Sequence, residues 1–149
     1  MQILKIALFD IWIANEDRHF NNANLLYSVV NDELIVIDHG CIFNTATFDY
    51  PLSLLTLNET ILGSNLAHEL LDNISVNTMT SFLKELTYDY QLYINDCINR
   101  INDVMNSIPN EWNIPKDLVL EKLLQLSDKN WISECWNCFL DYLQEYKYV

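Results

Sequence analysis

A chain of 149 residues, half of them apolar and including 4 Trp, 6 Phe and 8 Tyr, can bury a sizeable core as one domain spanning residues 1–149. Its 8 Lys plus Arg against 21 Asp plus Glu leave a net charge of −13. There is no basic cluster to displace counterions from nucleic acid, and anionic membrane surfaces repel such a chain.

Only 2 glycines and 3 prolines interrupt the sequence, so a mainly α-helical fold is expected. Residues 2–13 are apolar almost all round and predict a helix buried on most sides, ended by Asn15 and Asp17. The same N-terminal run could pass for a signal peptide, but Asp10 interrupts it and no small-residue cleavage site follows. No stretch is long and apolar enough to span a bilayer, so a cytoplasmic protein is expected and the sequons at Asn58 and Asn73 are read as chance. NLLYSV and LIVID are β-prone runs that predict a hairpin over about residues 24–38, with Gly40 breaking the chain behind it.

Residues 44–64 show no clear period and predict a loop with one short helix near 52–57. NLAHELL predicts a short helix, and Ser75 or Asn77 can cap the next. Leu83, Leu86, Tyr90, Tyr93, Cys97, Ile101, Val104 and Ile108 then form a long amphipathic stripe, with a break expected near Tyr88. Pro115 is placed to open another helix, KDLVLEKLLQL, and NWISECWNCFLDYLQEY completes the chain. The expected plan is a loop and hairpin over 14–43, a loop over 44–64 and a helical bundle over 65–149.

Cys135 and Cys138 form a CxxC, but zinc needs about four ligands and no second CxxC or paired His is near. Together with Cys41 and Cys97 they read as reduced thiols, the CxxC pair in the core. Trp112, Trp131, Trp136 and the tyrosines are read as packing residues.

The chemistry lies in NEDRHFNNANLLY followed by LIVIDHG. A helix delivers the chain into a loop holding Asp17, and the hairpin ends at Asp38, so two aspartates can converge with Asn22 beside them. Phosphoryl transfer uses one carboxylate to take the proton of the accepting hydroxyl, and a second carboxylate with an amide oxygen to hold Mg²⁺. Asp17 and Asn22 keep the D-x-x-x-x-N spacing of protein kinases, and Asp38-His39-Gly40 supplies the later D-x-G.

These segments resemble the catalytic and metal-binding segments of the HipA-like kinases, and more weakly those of the phosphatidylinositol kinases. The second asparagine, Asn24, followed by Leu25 and Leu26, is closer to the HipA-like branch, and IPNEW is similar to a piece of that branch's C-terminal helical region. The resemblance implies the helical C-lobe of a protein-kinase-like fold using ATP and Mg²⁺. It makes Asp17 the catalytic base and Asn22 and Asp38 the Mg²⁺ and cofactor ligands. Arg18 and His19 would shape the loop or stabilise transferred charge, Asn24 would tie the loop to the hairpin or assist the metal, and His39 sits inside the D-x-G.

A kinase also needs a Gly-rich loop and a strand lysine. Neither is found before Asp17, and Lys5 lies in the predicted helix, so the N-lobe is expected to be absent and the chain inactive by itself. A separate N-lobe subunit or a homo-oligomer is the expected partner. Residues 44–64 contain no Lys or Arg to meet a phosphoinositide, which favours a protein hydroxyl as acceptor. A metallophosphoesterase reading of Asp17-Arg18-His19 fails because only His68 remains downstream of the D-x-G. The other reading is a non-catalytic helical interaction module derived from a kinase lobe, whose uncovered apolar face would find a partner.

Overall fold

The helix expected at the N-terminus is α1 (Gln2–Trp12), and it is buried on nearly every side, from Ile3 and Leu4 through Asp10, Ile11 and Trp12. The computed structural model describes residues 1–46 and 50–146, the side chains of 45 and 46 excepted. Positions 47–49 of the expected loop and 147–149 of the expected bundle lie outside the described residues.

After α1 the chain forms an antiparallel hairpin of β1 (Leu25–Ser28) and β2 (Glu33–Val36), in which Leu25 faces Val36 and Leu26 faces Ile35. A five-residue helical turn follows, α2 (Ile42–Ala46), whose Phe43 and Asn44 take left-handed φ values of 59° and 53°. The expected helix near 52–57 is replaced by two short 3-10 turns, Leu57–Glu59 and Ile61–Gly63. The second passes so close to the first that a Cβ on Gly63 would lie 2.8 Å from the Leu57 carbonyl oxygen.

The remaining helices are α3 (Asn65–Leu71), α4 (Val76–Ser107), α5 (Lys116–Leu126) and α6 (Lys129–Gln144). Ser64 caps α3 through Ala67 N–H, and Ser75, one of the two expected candidates, caps α4 through Thr78 N–H. Asp128 accepts from the Asn130 and Trp131 amides at the start of α6. The α4 helix runs without a break at Tyr88. Its buried face follows the expected stripe at Leu86 and Tyr90 and then shifts by one residue: Ile94 is buried and Ile98 half-buried, whereas Tyr93 and Val104 are 59% and 53% exposed. Apolar residues stand at both 93 and 94 and at both 97 and 98, so two adjacent stripes overlap and packing selects one.

The core lies between α1 and α6. Trp131 Nε1 donates to the Trp12 carbonyl at 2.9 Å, and Trp12 Nε1 donates to the Leu126 carbonyl at 2.9 Å. Cys135 and Cys138 are buried free thiols, and burial pushes both up from the ordinary thiol pKa. Trp112 does not pack as expected; it is 65% exposed on a 3-10 turn between α4 and α5. The Tyr142 and Tyr146 hydroxyls donate to the Leu55 and Leu62 carbonyls, and buried Lys122 donates to the Tyr50 carbonyl, so α5 and α6 hold the irregular segment in place. Among the described residues no helix is long and apolar enough to cross a membrane.

Candidate active site

The site begins where α1 stops. Ala14 turns left-handed at φ 50°, its amide returns to the Ile11 carbonyl, and the Asn15 amide returns to the Asp10 carbonyl at 2.9 Å. This pair of bonds is a Schellman closure with alanine where glycine is usual. It throws the chain sharply off the helix axis and exposes Glu16 and Asp17 in part, while Asn15 stays buried.

A tight turn follows. His19 and Asn22 exchange backbone hydrogen bonds at 3.0 and 3.1 Å, so only Phe20 and Asn21 span the tip. That turn folds Asn22 back over Asp17. The Asn22 side-chain amide donates to one Asp17 oxygen at 3.0 Å, and the Asn24 amide donates to the other at 2.8 Å. Both carboxylate oxygens are thereby oriented, and Asn24 ties the loop to the hairpin, one of the two roles expected of it. Asn24 itself is left-handed (φ 43°), a conformation Asn tolerates better than most residues.

Arg18 points the other way. Its side chain is fully buried, with Nε on Asp10 Oδ2 at 2.7 Å. Nη1 donates to the Asn24 carbonyl at 2.6 Å and the Ile37 carbonyl at 3.0 Å. Nη2 lies 3.2 Å from His39 Nε2, and because guanidinium can only donate, that imidazole nitrogen accepts. His39 is therefore neutral with its proton on Nδ1. Its pKa is lowered by partial burial and by the Arg18 charge, with Asp38 opposing. The observed contacts of Arg18 are those of a loop-shaping residue, since the guanidinium faces inward.

Asp38 is exposed and left-handed (φ 54°), and one of its oxygens accepts from the Gly40 amide at 3.2 Å. His19 is partly buried; its Nδ1 receives the Asn21 amide at 3.2 Å, which stiffens the turn. The hydrogen bonds thus join Asp17, Asn22 and Asn24 directly and join Arg18 to His39, while Asp38 is connected to them through the backbone of Ile37 and His39.

Two residues that matter here went unrecognised in the sequence. Asp10 receives Arg18 Nε on one oxygen and Asn15 Nδ2 on the other, the latter at 2.9 Å. Burial raises the Asp10 pKa to about 6, and the contacts with Asn15 and Arg18 only partly oppose that rise. The signal was present: a lone carboxylate inside an all-round apolar helix has to be paired.

Asp17 also borders an open cleft of about 500 Å³, lined by Glu16, His19, Phe20 and Cys41 on one side and by Thr56, Asn58 and Glu59 on the other. A separate, almost wholly apolar cleft of about 490 Å³ between α1, α4 and α5 touches these residues only at His39.

The sequence model of the HipA-like kinases matches residues 2–133, from α1 through the whole of this loop and hairpin and into α6. The chain belongs to the HipA-like kinase family. No curated protein and no solved structure matches it. For a HipA-like kinase, membership implies a kinase-type phosphotransferase domain and, for the family in general, the use of ATP and Mg²⁺. Among the described residues of this HipA-like kinase, no group of three or more His, Cys, Asp or Glu side chains could hold a metal by itself. The donors that are present, an Asn amide oxygen and Asp carboxylates, are nonetheless the hard oxygen ligands magnesium takes. Magnesium commonly uses one or two protein ligands, with phosphates and water completing its shell.

Proposed function

We propose that this chain is the C-lobe of a HipA-like phosphotransferase that moves the γ-phosphoryl group of ATP to a protein hydroxyl. The observation that carries the reading is the clamp on Asp17. A carboxylate with both oxygens oriented by Asn22 and Asn24, on the wall of an open cleft, is equipped to receive a proton from a hydroxyl. In the reaction the acceptor hydroxyl gives its proton to Asp17, its oxygen bonds to the γ-phosphorus, and ADP leaves. Asn22, through its amide oxygen, and Asp38 are the residues that would hold magnesium. The bound ion would offset the charge of the nucleotide phosphates.

The cleft beside Asp17 supports a protein acceptor over a phosphoinositide. Among the described residues its charged lining is Glu16, Asp17 and Glu59, with no Lys or Arg to meet a phosphorylated head group. The hairpin supports a covering lobe: Leu26 and Ile35 stand opposite each other and are 54% and 42% exposed, with Val29 and Val30 exposed at the tip. A Gly-rich loop and a strand lysine would come from residues outside this sequence, either in the same polypeptide or in a second subunit. The chain by itself is then expected to release ADP from ATP only at background rate. A turnover that Asp17→Asn abolishes would overturn the need for an N-lobe.

The same exposed hairpin face favours a second reading, an interaction module that no longer performs chemistry. Nucleotide binding that depends on a divalent cation supports the first reading. Tight self-association or subunit binding with no response to nucleotide supports the second.

A further inference from the structure

We propose that Asp10 is a positioning residue for phosphotransfer, acting through Arg18 to set the catalytic loop against the D-x-G element. This rests on the reading that Asp17, Asn22 and Asp38 carry the chemistry.

Asp10 sits in α1, among the most deeply buried parts of the molecule, and its own side chain is fully buried. One oxygen fixes Arg18 Nε at 2.7 Å and the other fixes the Asn15 amide at 2.9 Å, so a rigid helix holds both flanks of the turn leading to Asp17. The guanidinium held in this way spends its outer nitrogens on two separate segments. One is the Asn24 carbonyl, in the residue whose side chain clamps Asp17. The other is the stretch leading into and through the D-x-G: the Ile37 carbonyl, immediately before Asp38, and the His39 ring, immediately after it. One planar fork with fixed spacing thus joins the base and the proposed metal ligands to a common reference in α1.

A buried ion pair is a poor device for stability, since apolar residues of similar volume often serve as well. Stability alone does not require the charged pair at the junction of the two loops. Geometry does, because Arg presents several donors in a rigid plane that no apolar side chain reproduces.

The test uses two variants, Asp10→Asn and the charge-neutral pair Asp10→Asn with Arg18→Gln, which leaves no unpaired buried charge. Nuclear magnetic resonance would follow the side-chain amides of Asn22 and Asn24 and the His39 ring, and titration with Mn²⁺ alone would give the cation affinity. The account expects α6 amide signals to stay in place while the Asn22, Asn24 and His39 signals move. It also expects Mn²⁺ affinity to fall about 10–100-fold, as when a residue supporting a metal ligand is removed. A core variant of α4, Ile94→Ala, controls for lost stability and should move neither readout. Folded Asp10 variants with wild-type Asn22, Asn24 and His39 signals would overturn the proposal, and so would equal losses in Ile94→Ala. If the unsubstituted chain binds no Mn²⁺, the metal assignment fails, and the side-chain signals still decide the role of Asp10.

Discussion

Replacing Arg18 by methionine keeps much of the buried stem and removes the charge and every donor. Asp10 then stands in the core without its cation, and the carbonyls of Asn24 and Ile37 lose a donor at 2.6 and 3.0 Å. Breaking a buried pair from one side costs about 3–5 kcal/mol, a large part of the ~5–15 kcal/mol that holds a domain together. The loss should depend on pH. Burial already raises the Asp10 pKa to about 6 while Arg18 pulls it down, so removing Arg18 raises it further. At pH 5 the carboxyl of the variant is protonated and neutral, and most of the charge penalty disappears. At pH 7.5 that penalty is present, either as an unpaired carboxylate or as the cost of keeping it protonated. Urea denaturation of both proteins at the two pH values measures this directly. A loss below about 1 kcal/mol at pH 7.5, or the same loss at both pH values, would refute the idea that Arg18 balances a buried carboxylate.

The unsubstituted chain, with both partners in place, also carries a pH dependence from Asp10. Because the folded pKa of Asp10 is raised from 3.8 to about 6, its favourable contribution is complete below 3.8 and is lost as pH rises through about 6, by about 3 kcal/mol in all. Asp10→Asn should lack that slope, and parallel stability curves for the two proteins between pH 4 and 7 would contradict it. Gly63→Ala places a methyl 2.8 Å from the Leu57 carbonyl oxygen, a backbone atom, and should lower stability by about 1–3 kcal/mol in thermal or urea unfolding. An unchanged midpoint would show that the two 3-10 turns can part without cost.

Much of this fold can be read from local pattern, and the departures have physical reasons. The α1, α3, α5 and α6 helices follow from their apolar content and spacing, with Pro115 ahead of α5, whereas the Ser64 and Asp128 caps of α3 and α6 emerge only from the structure. The α2 turn escaped because it rests on left-handed Phe43 and Asn44, whose amides bond to the Ile13 and Ala14 carbonyls at 2.9 Å. Contacts between distant segments have no local signature. The same limit hid the working partners of the site. Asp17, Asn22 and Asp38 stand out by spacing, whereas the roles of Asp10 and Asn15 exist only once the end of α1 folds back beside Arg18. Arg18 reads in sequence as either a loop-shaping residue or a site cation, and the fold turns its guanidinium inward because Asp10 and two carbonyls lie there.

The most direct test of the central claim is a calorimetric titration of the purified chain with Mg·ATP, beside Asp38→Ala and Asn22→Ala. The account predicts weak, saturable heat that requires magnesium and that either substitution removes. Nucleotide binding that persists without magnesium and survives both substitutions would contradict it, as would no binding at millimolar nucleotide.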